Sequence, residues 1–195
     1  MEVIKAIKTR RSIRHYLADD ISEDDLKTVL EAARWSPSWA NTQCVRFVVV
    51  RDKEIKIKLA ASLQKGNPAI EAMNQAPIII VVCAELGKSG YHGGGNVTNR
   101  DNWKVSITGK GDWYMFDTGL TMQNMALAAH ALGLGTVFIG GFNPWEVAET
   151  LNVPRGVEVV AMTPLGYPAK EAEQSSRLAL SEIVFRGSYG KGLNK

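Results

Sequence analysis

Cysteine and histidine are both scarce: the 195 residues hold two of the first and three of the second. Cys44 and Cys83 form no Cys-x-x-Cys pair and have no histidine cluster beside them, so nothing supports a zinc site or a disulfide framework. Buried free thiols in a reducing compartment are the expectation. His15, His92 and His130 are too scattered to make a metal set, and His130 falls within a helical stretch, where packing or a place on the helix surface is expected of it. Long hydrophobic runs are missing too, with no segment reaching the roughly 18 to 20 apolar residues of a membrane span. Glu2 and Lys5 interrupt the first segment where a secretory leader needs an unbroken apolar core, so a cytoplasmic protein with no membrane partner is expected. A surplus of one charge is also lacking. Lys and Arg total 23 against 20 Asp and Glu, and a net charge of +3 is too small and dispersed for a nucleic-acid binder.

What is present suits one domain over residues 1–195, with 45% apolar residues. Val3, Ile4 and Ile7 recur at helical spacing ahead of a basic run, Arg10, Arg11, Ser12, Ile13, Arg14. Ser22, with Asp25 three residues on, opens a second helix whose Leu26, Val29, Leu30 and Ala33 share a face, and Pro37 closes it. Phe47 to Val50 and Ile78 to Val82 are β-branched runs that read as buried strands, with an amphipathic stretch from Ile57 to Leu63 and a helical turn between them. Gly87 to Gly111 has little periodicity, and its length of about 25 residues suits a variable loop or lid.

Tyr114 to Leu132 is apolar on nearly every side and reads as a long helix buried in the core, ended by Gly133 and Gly135. A short strand from Thr136 to Ile139, a Gly140–Gly141 turn, a helix from Pro144 to Leu151 and a strand from Val157 to Leu165 follow. Irregular alternation around three or four strands predicts a layered α+β domain, a central sheet packed with helices. Gly133, Gly135 and Gly140 are wrongly spaced for a dinucleotide-binding turn, and the first two precede their strand.

Three constellations could carry chemistry. Arg10, Arg11, Ser12 and Arg14 place guanidinium forks and a hydroxyl within five residues, which fits either an anion clamp or a solvated basic face. The loop Pro37, Ser38, Trp39, Ala40, Asn41, Thr42, Gln43 offers amide edges suited to a planar heterocycle, or to satisfying its own backbone. Ile139, Gly140 and Gly141 lack side chains where a ligand could approach the backbone, and ordinary turn geometry explains them equally.

The order RRSIR, PSWANTQ, a long helix ending in GLGTVFIGG, then PLGYP resembles the FMN-dependent nitroreductase family over nearly the whole chain. The resemblance implies a mainly antiparallel sheet packed with helices and two chains interlocked as a homodimer along the long helix, with an FMN at each of two interface sites. By motif position, Arg10, Ser12 and Arg14 would hold the phosphate and ribityl end, with Arg11 alongside them and Arg14 reaching toward the pyrimidine edge. Pro37, Ser38, Trp39 and Asn41 would come from the opposite chain and Gln43 from this one. Ile139, Gly140 and Gly141 would approach the ring near N5, and Arg177 would add to the phosphate site. Three departures from the family pattern stand out: Ser175 where a second basic residue is common, bulky Trp39, and Cys44-Val45 after the loop glutamine where Pro-Trp is usual.

The activity implied is transfer of electrons from NADH or NADPH to nitroaromatic, quinone or similar small acceptors, in a ping-pong cycle through one pocket. The flavin N5 would carry the chemistry, with no side chain as a catalyst and Arg14 tuning the ring. Tyr91, Trp103 and Trp113 would serve as pocket walls or as packing anchors. Rival readings are a flavin- or nucleotide-binding module without turnover, and another flavin reaction on the same fold: dehalogenation, azoline oxidation or flavin fragmentation.

Overall fold

The computed structural model describes residues 1–91 and 111–192. Its centre is a four-stranded sheet in the order β1-β2-β4-β3, with β1 at Val45–Val50, β2 at Ile78–Glu85, β3 at Gly135–Thr136 and β4 at Val157–Gly166. Every neighbouring pair is antiparallel, which rules out a parallel dinucleotide-binding sheet. The strand expected from Thr136 to Ile139 is shorter than its apolar run: β3 stops at Thr136, and Ile139 adds a single bridge to Met162.

β2 is apolar and buried from Ile78 to Ala84 because helices cover both of its faces. Ile78, Ile80 and Val82 point into a cluster with Leu26, Val29, Met122 and Met125, from α2 (Glu23–Arg34) and α5 (Tyr114–Ala131). Ile79, Val81 and Cys83 point the other way, onto Leu59, Met73 and Val147, from α3 (Lys53–Ala61), α4 (Ala69–Gln75) and α6 (Pro144–Thr150). Alternation with period two thus splits one strand between two cores. Each fully buried aliphatic side chain there contributes about 1.5–3 kcal/mol. β1 departs from expectation. It is an edge strand, and only Val50 of it is buried, because no second strand covers its outer side and helical cover there is partial.

The helix signals work as the sequence predicts at α2, where the Ser22 hydroxyl accepts from Asp25 N–H at 3.0 Å. Asp52 caps α3 and Asn143 caps α6 in the same way, with Pro144 in the first turn. α5 is less enclosed than its composition suggests. Thr118, Met122, Met125 and Ala129 are buried, whereas Met115, Phe116 and Leu132 are exposed. In α1 (Val3–Thr9) only Ala6 is buried, so the apolar residues Val3, Ile4 and Ile7 face outward in the single chain. α7 (Leu180–Ile183) is one turn that no sequence signal announced.

The expected variable segment lies mostly outside the described residues, and Trp103 with it. Its ends are anchored: Gly87 N–H donates to Asp112 Oδ2 at 2.6 Å, and Trp113 N–H to the Ser89 carbonyl at 3.1 Å. Tyr91 is buried, and the Trp113 ring packs against Phe116 with centroids 4.9 Å apart.

Candidate functional site

Three of the four sequence motifs meet along one seam. Ser12 forms a parallel bridge with Thr136, Ile13 N–H donates to the Thr136 carbonyl at 2.9 Å, and Leu17 N–H to the Tyr167 carbonyl at 2.9 Å. The basic RRSIR segment is thereby fixed between the GLGT turn and the PLGYP segment. Gly133 makes that turn possible. At φ +79° it ends α5, with Leu134 N–H bonded to the Ala129 carbonyl and Gly133 N–H to that of His130.

Beside the seam opens a cleft of about 560 Å³ lined by Thr9, Arg10, Arg11, His130, Thr136 and Lys170, among others, a size typical of small-molecule sites. One carboxylate, Glu171, also lines the cleft, and it makes no salt bridge among the described residues. Arg10, Arg11, Arg14 and Arg177 make no salt bridge among the described residues. Arg11 donates to the Lys8 and Arg10 carbonyls at 2.8 Å each, and Arg177 donates to the Ser175 and Ser176 carbonyls. Arg10 makes no such bond among the described residues. Partial burial, then the like charges of Arg11 and Arg177, lower its pKa below the ordinary arginine value. Arg10, repelled by both Arg11 and Arg177 and salt-bridged to no acid among the described residues, is suited to receive a strongly charged anion.

Arg14 stands exposed beside this group, its Nη1 3.4 Å from the Ser12 carbonyl, and Ser12 itself is half-buried in the seam. Ile139 is buried, and Gly140 is exposed with open space where a side chain would project. The Gly141 carbonyl accepts from Gln64 N–H at 3.3 Å and Asn67 Nδ2 at 3.4 Å, so that turn is braced from α3's end while Gly140 stays clear.

The PSWANTQ loop lies elsewhere. It leaves α2 through a 3-10 turn, Trp39–Asn41, in which Ala40, Asn41 and then Gln43 hold positive φ, a left-handed conformation costly for residues with a side chain. Ser38 and Gln43 line a separate pocket of about 130 Å³ with Arg46, Phe47 and Thr121. Ser38 Oγ accepts from Gln43 N–H at 2.9 Å, and Pro37 and Asn41 are exposed. That pocket shares no lining residue with the cleft at Arg10 and Arg11.

Sequence reasoning missed the residue that holds the loop. Asp117, buried in the first turn of α5, accepts from Trp39 N–H at 3.1 Å and from the Cys44 thiol at 3.5 Å. Burial, with Asp117 adding charge repulsion and a hydrogen bond, pushes the Cys44 thiol up to about 12. A lone acid in an otherwise apolar helical stretch, YMFDTGL, was the available signal. Near by, the buried Thr42 hydroxyl has no hydrogen-bond partner among the described residues.

Comparison with known proteins agrees with this geometry. The nitroreductase family model matches residues 7–167. An FMN reductase [NAD(P)H] of Bacillus subtilis is 31% identical over 193 residues, covering 96% of this chain and 74% of that one. An NADH dehydrogenase of Thermus thermophilus is 33% identical over 190 residues, covering 90% and 91%. Among solved structures, a nitroreductase family protein from Clostridium difficile superposes with a TM-score of 0.79 at 26% identity, covering 96% of this chain and 99% of that one. The chain belongs to the nitroreductase family and has its fold.

Proposed function

We propose that this chain is an FMN-dependent oxidoreductase that draws electrons from NADH or NADPH. The observation that carries the reading is Arg10, half-buried beside Arg11 and Arg177 with no carboxylate partner among the described residues, as the phosphate group of FMN requires. The printed name of the Bacillus relative, an FMN reductase [NAD(P)H], supports the same cofactor and donor.

Arg10, Arg11, Ser12 and Arg177 hold the phosphate and ribityl end, and Arg14 offers positive charge to the pyrimidine edge. Ile139, Gly140 and Gly141 present backbone to the ring, where the open space at Gly140 leaves room for it. Pro37, Ser38, Trp39 and Asn41 complete the site of the other chain in a homodimer, while Gln43 serves its own. The separation of that loop from the arginine cleft and the outward apolar residues of α1 and α5 favour this arrangement. Residues 1–195 act as one domain. Bound FMN supplies hydride acceptance at N5 and onward electron transfer; the chain's part is to position, charge and shelter the ring. Nitroaromatics, quinones and similar small acceptors replace the nicotinamide in one pocket, giving ping-pong kinetics. Buried free Cys44 and Cys83 accord with a cytoplasmic setting, and no helix among the described residues is long and apolar enough to cross a membrane.

The test is an anaerobic spectrum of the protein after reconstitution with FMN and desalting. Retained flavin absorbance should bleach with NADH or NADPH and return with a nitroaromatic or quinone, with parallel double-reciprocal lines. A colourless protein overturns the reading, and bound flavin that neither nucleotide reduces makes the chain a binding module.

A further inference from the structure

His130 lies in the last turn of α5 and lines the same cleft as Arg10 and Arg11. Its ring is held by a short chain of hydrogen bonds. Thr9 Oγ1 donates its one proton to the Lys5 carbonyl at 2.7 Å and sits 2.8 Å from His130 Nε2. With that proton committed, Thr9 can only accept from the ring, so Nε2 carries a hydrogen and Nδ1 is the nitrogen free to gain or lose one.

The charges around it are of both signs. Arg10 and Arg11 come from the end of α1, and Met1, Lys170 and Glu171 line the cleft as well. Glu171 is the one carboxylate among these lining residues, and it makes no salt bridge among the described residues. Partial burial, then Arg10 and Arg11, lower the His130 pKa below the ordinary histidine value, so the ring is neutral near pH 7. The carbonyls at the end of α5 pull the other way without prevailing.

We propose that His130 is a further phosphate-binding residue of this cleft, taking a proton from solvent at Nδ1 when the phosphate group of FMN enters. A dianion set among Arg10, Arg11 and His130 offsets the repulsion that keeps the ring neutral, so an imidazolium becomes the favoured form. The chain then grips FMN with a charge it does not carry when empty. This rests on the arginine cleft being the phosphate site.

The test uses the full chain with ring-labelled histidine, whose three histidines give few signals. The His130 resonance, assigned with His130→Gln, is titrated without ligand, with saturating FMN and with saturating riboflavin, which lacks the phosphate. FMN should raise its pKa and riboflavin should not. In parallel, the FMN Kd should tighten several-fold between about pH 8 and 6.5, up to tenfold for each unit of pKa rise. That pH dependence should vanish in His130→Gln, and His130→Lys should restore tight, pH-independent binding. A His130 titration unchanged by bound FMN, or the same pH dependence in His130→Gln, overturns the proposal and leaves the cleft reading intact. FMN bound equally well by Arg10→Ala would instead remove the cleft reading and this proposal together.

Discussion

The side chain of Ile13 rests on Gly135. A Cβ at Gly135 would lie 2.6 Å from Ile13 Cγ1 and 2.7 Å from its Cβ, closer than real side chains approach. The glycine is therefore required by packing, and the contact sets how near the RRSIR segment lies to β3. Gly135→Ala should destabilise the fold by about 1–3 kcal/mol through overpacking, seen as a lower urea midpoint with unchanged slope. Adding Ile13→Ala should cost less than the two single effects summed, and strict additivity would mean that the contact is not there.

Cys44 and Asp117 form the second coupled pair. The thiol is pushed up to about 12 from an ordinary value of 9.0, and burial lifts Cys83 to about 11. A raised folded-state value means the native form favours the neutral thiol. That contribution is whole below about pH 9 and is lost as pH climbs through 9 towards 11 and 12. Urea midpoints should fall over this window, and Cys44→Ala should flatten part of the fall. Asp117→Ala should also cost about 1–3 kcal/mol at pH 7 by removing the carboxylate that accepts from Trp39 N–H and the Cys44 thiol.

Arg10 and Arg11 differ in what they are free to do. Among the described residues Arg11 is engaged by two backbone carbonyls, and Arg10 by none. Arg10→Ala should weaken FMN binding roughly tenfold to a hundredfold, the loss of one charge-assisted contact, and leave riboflavin affinity nearly unchanged. Flavin-fluorescence titration with both ligands makes the comparison. Equal losses for the two would place the arginine away from the phosphate.

The outward residues of α1 and α5 carry a prediction about assembly. Val3, Ile4, Ile7, Met115 and Phe116 are all at least half exposed in the single chain, more apolar surface than a solvated helix pair normally shows. Ile4→Glu with Phe116→Glu should shift sedimentation equilibrium from dimer towards monomer. On the proposed arrangement, in which each site takes the other chain's loop, FMN should be lost with the partner. A mutant that stays dimeric would place the interface elsewhere.

Much of this was legible from pattern alone. Ser22, Asp25 and Pro144 signal helix starts by local hydrogen-bonding chemistry, and α5 ends at Gly133 for a reason a sequence can carry. The four motifs in order identified the family and its antiparallel sheet. What failed to show depends on neighbours remote in sequence. Phe47 to Val50 has the composition of a buried strand, and only the strand order reveals β1 as an edge. Asp117 looked like an isolated acid until Trp39 and Cys44, more than seventy residues earlier, were brought against it. The Thr9–His130 contact joins helices 121 positions apart. The α1 residues kept their helical spacing yet faced outward, because period predicts a shared face and not what covers it.

Arg14 offers the most direct link between one side chain and the proposed chemistry. It is exposed, its one hydrogen bond is a long one to the Ser12 carbonyl, and no acid neutralises it among the described residues. A positive charge at the pyrimidine edge favours the reduced, anionic form of bound FMN over the oxidised one. Losing a charged hydrogen bond is worth about 1.5–3 kcal/mol, which for a two-electron couple is ~30–60 mV. Arg14→Ala should therefore lower the midpoint potential by that amount and slow reduction by NADH or NADPH, while Arg14→Lys recovers part of the shift. Spectroelectrochemical titration of the three proteins reads it directly. An unchanged potential in Arg14→Ala would place the guanidinium away from the ring, whatever happened to FMN affinity.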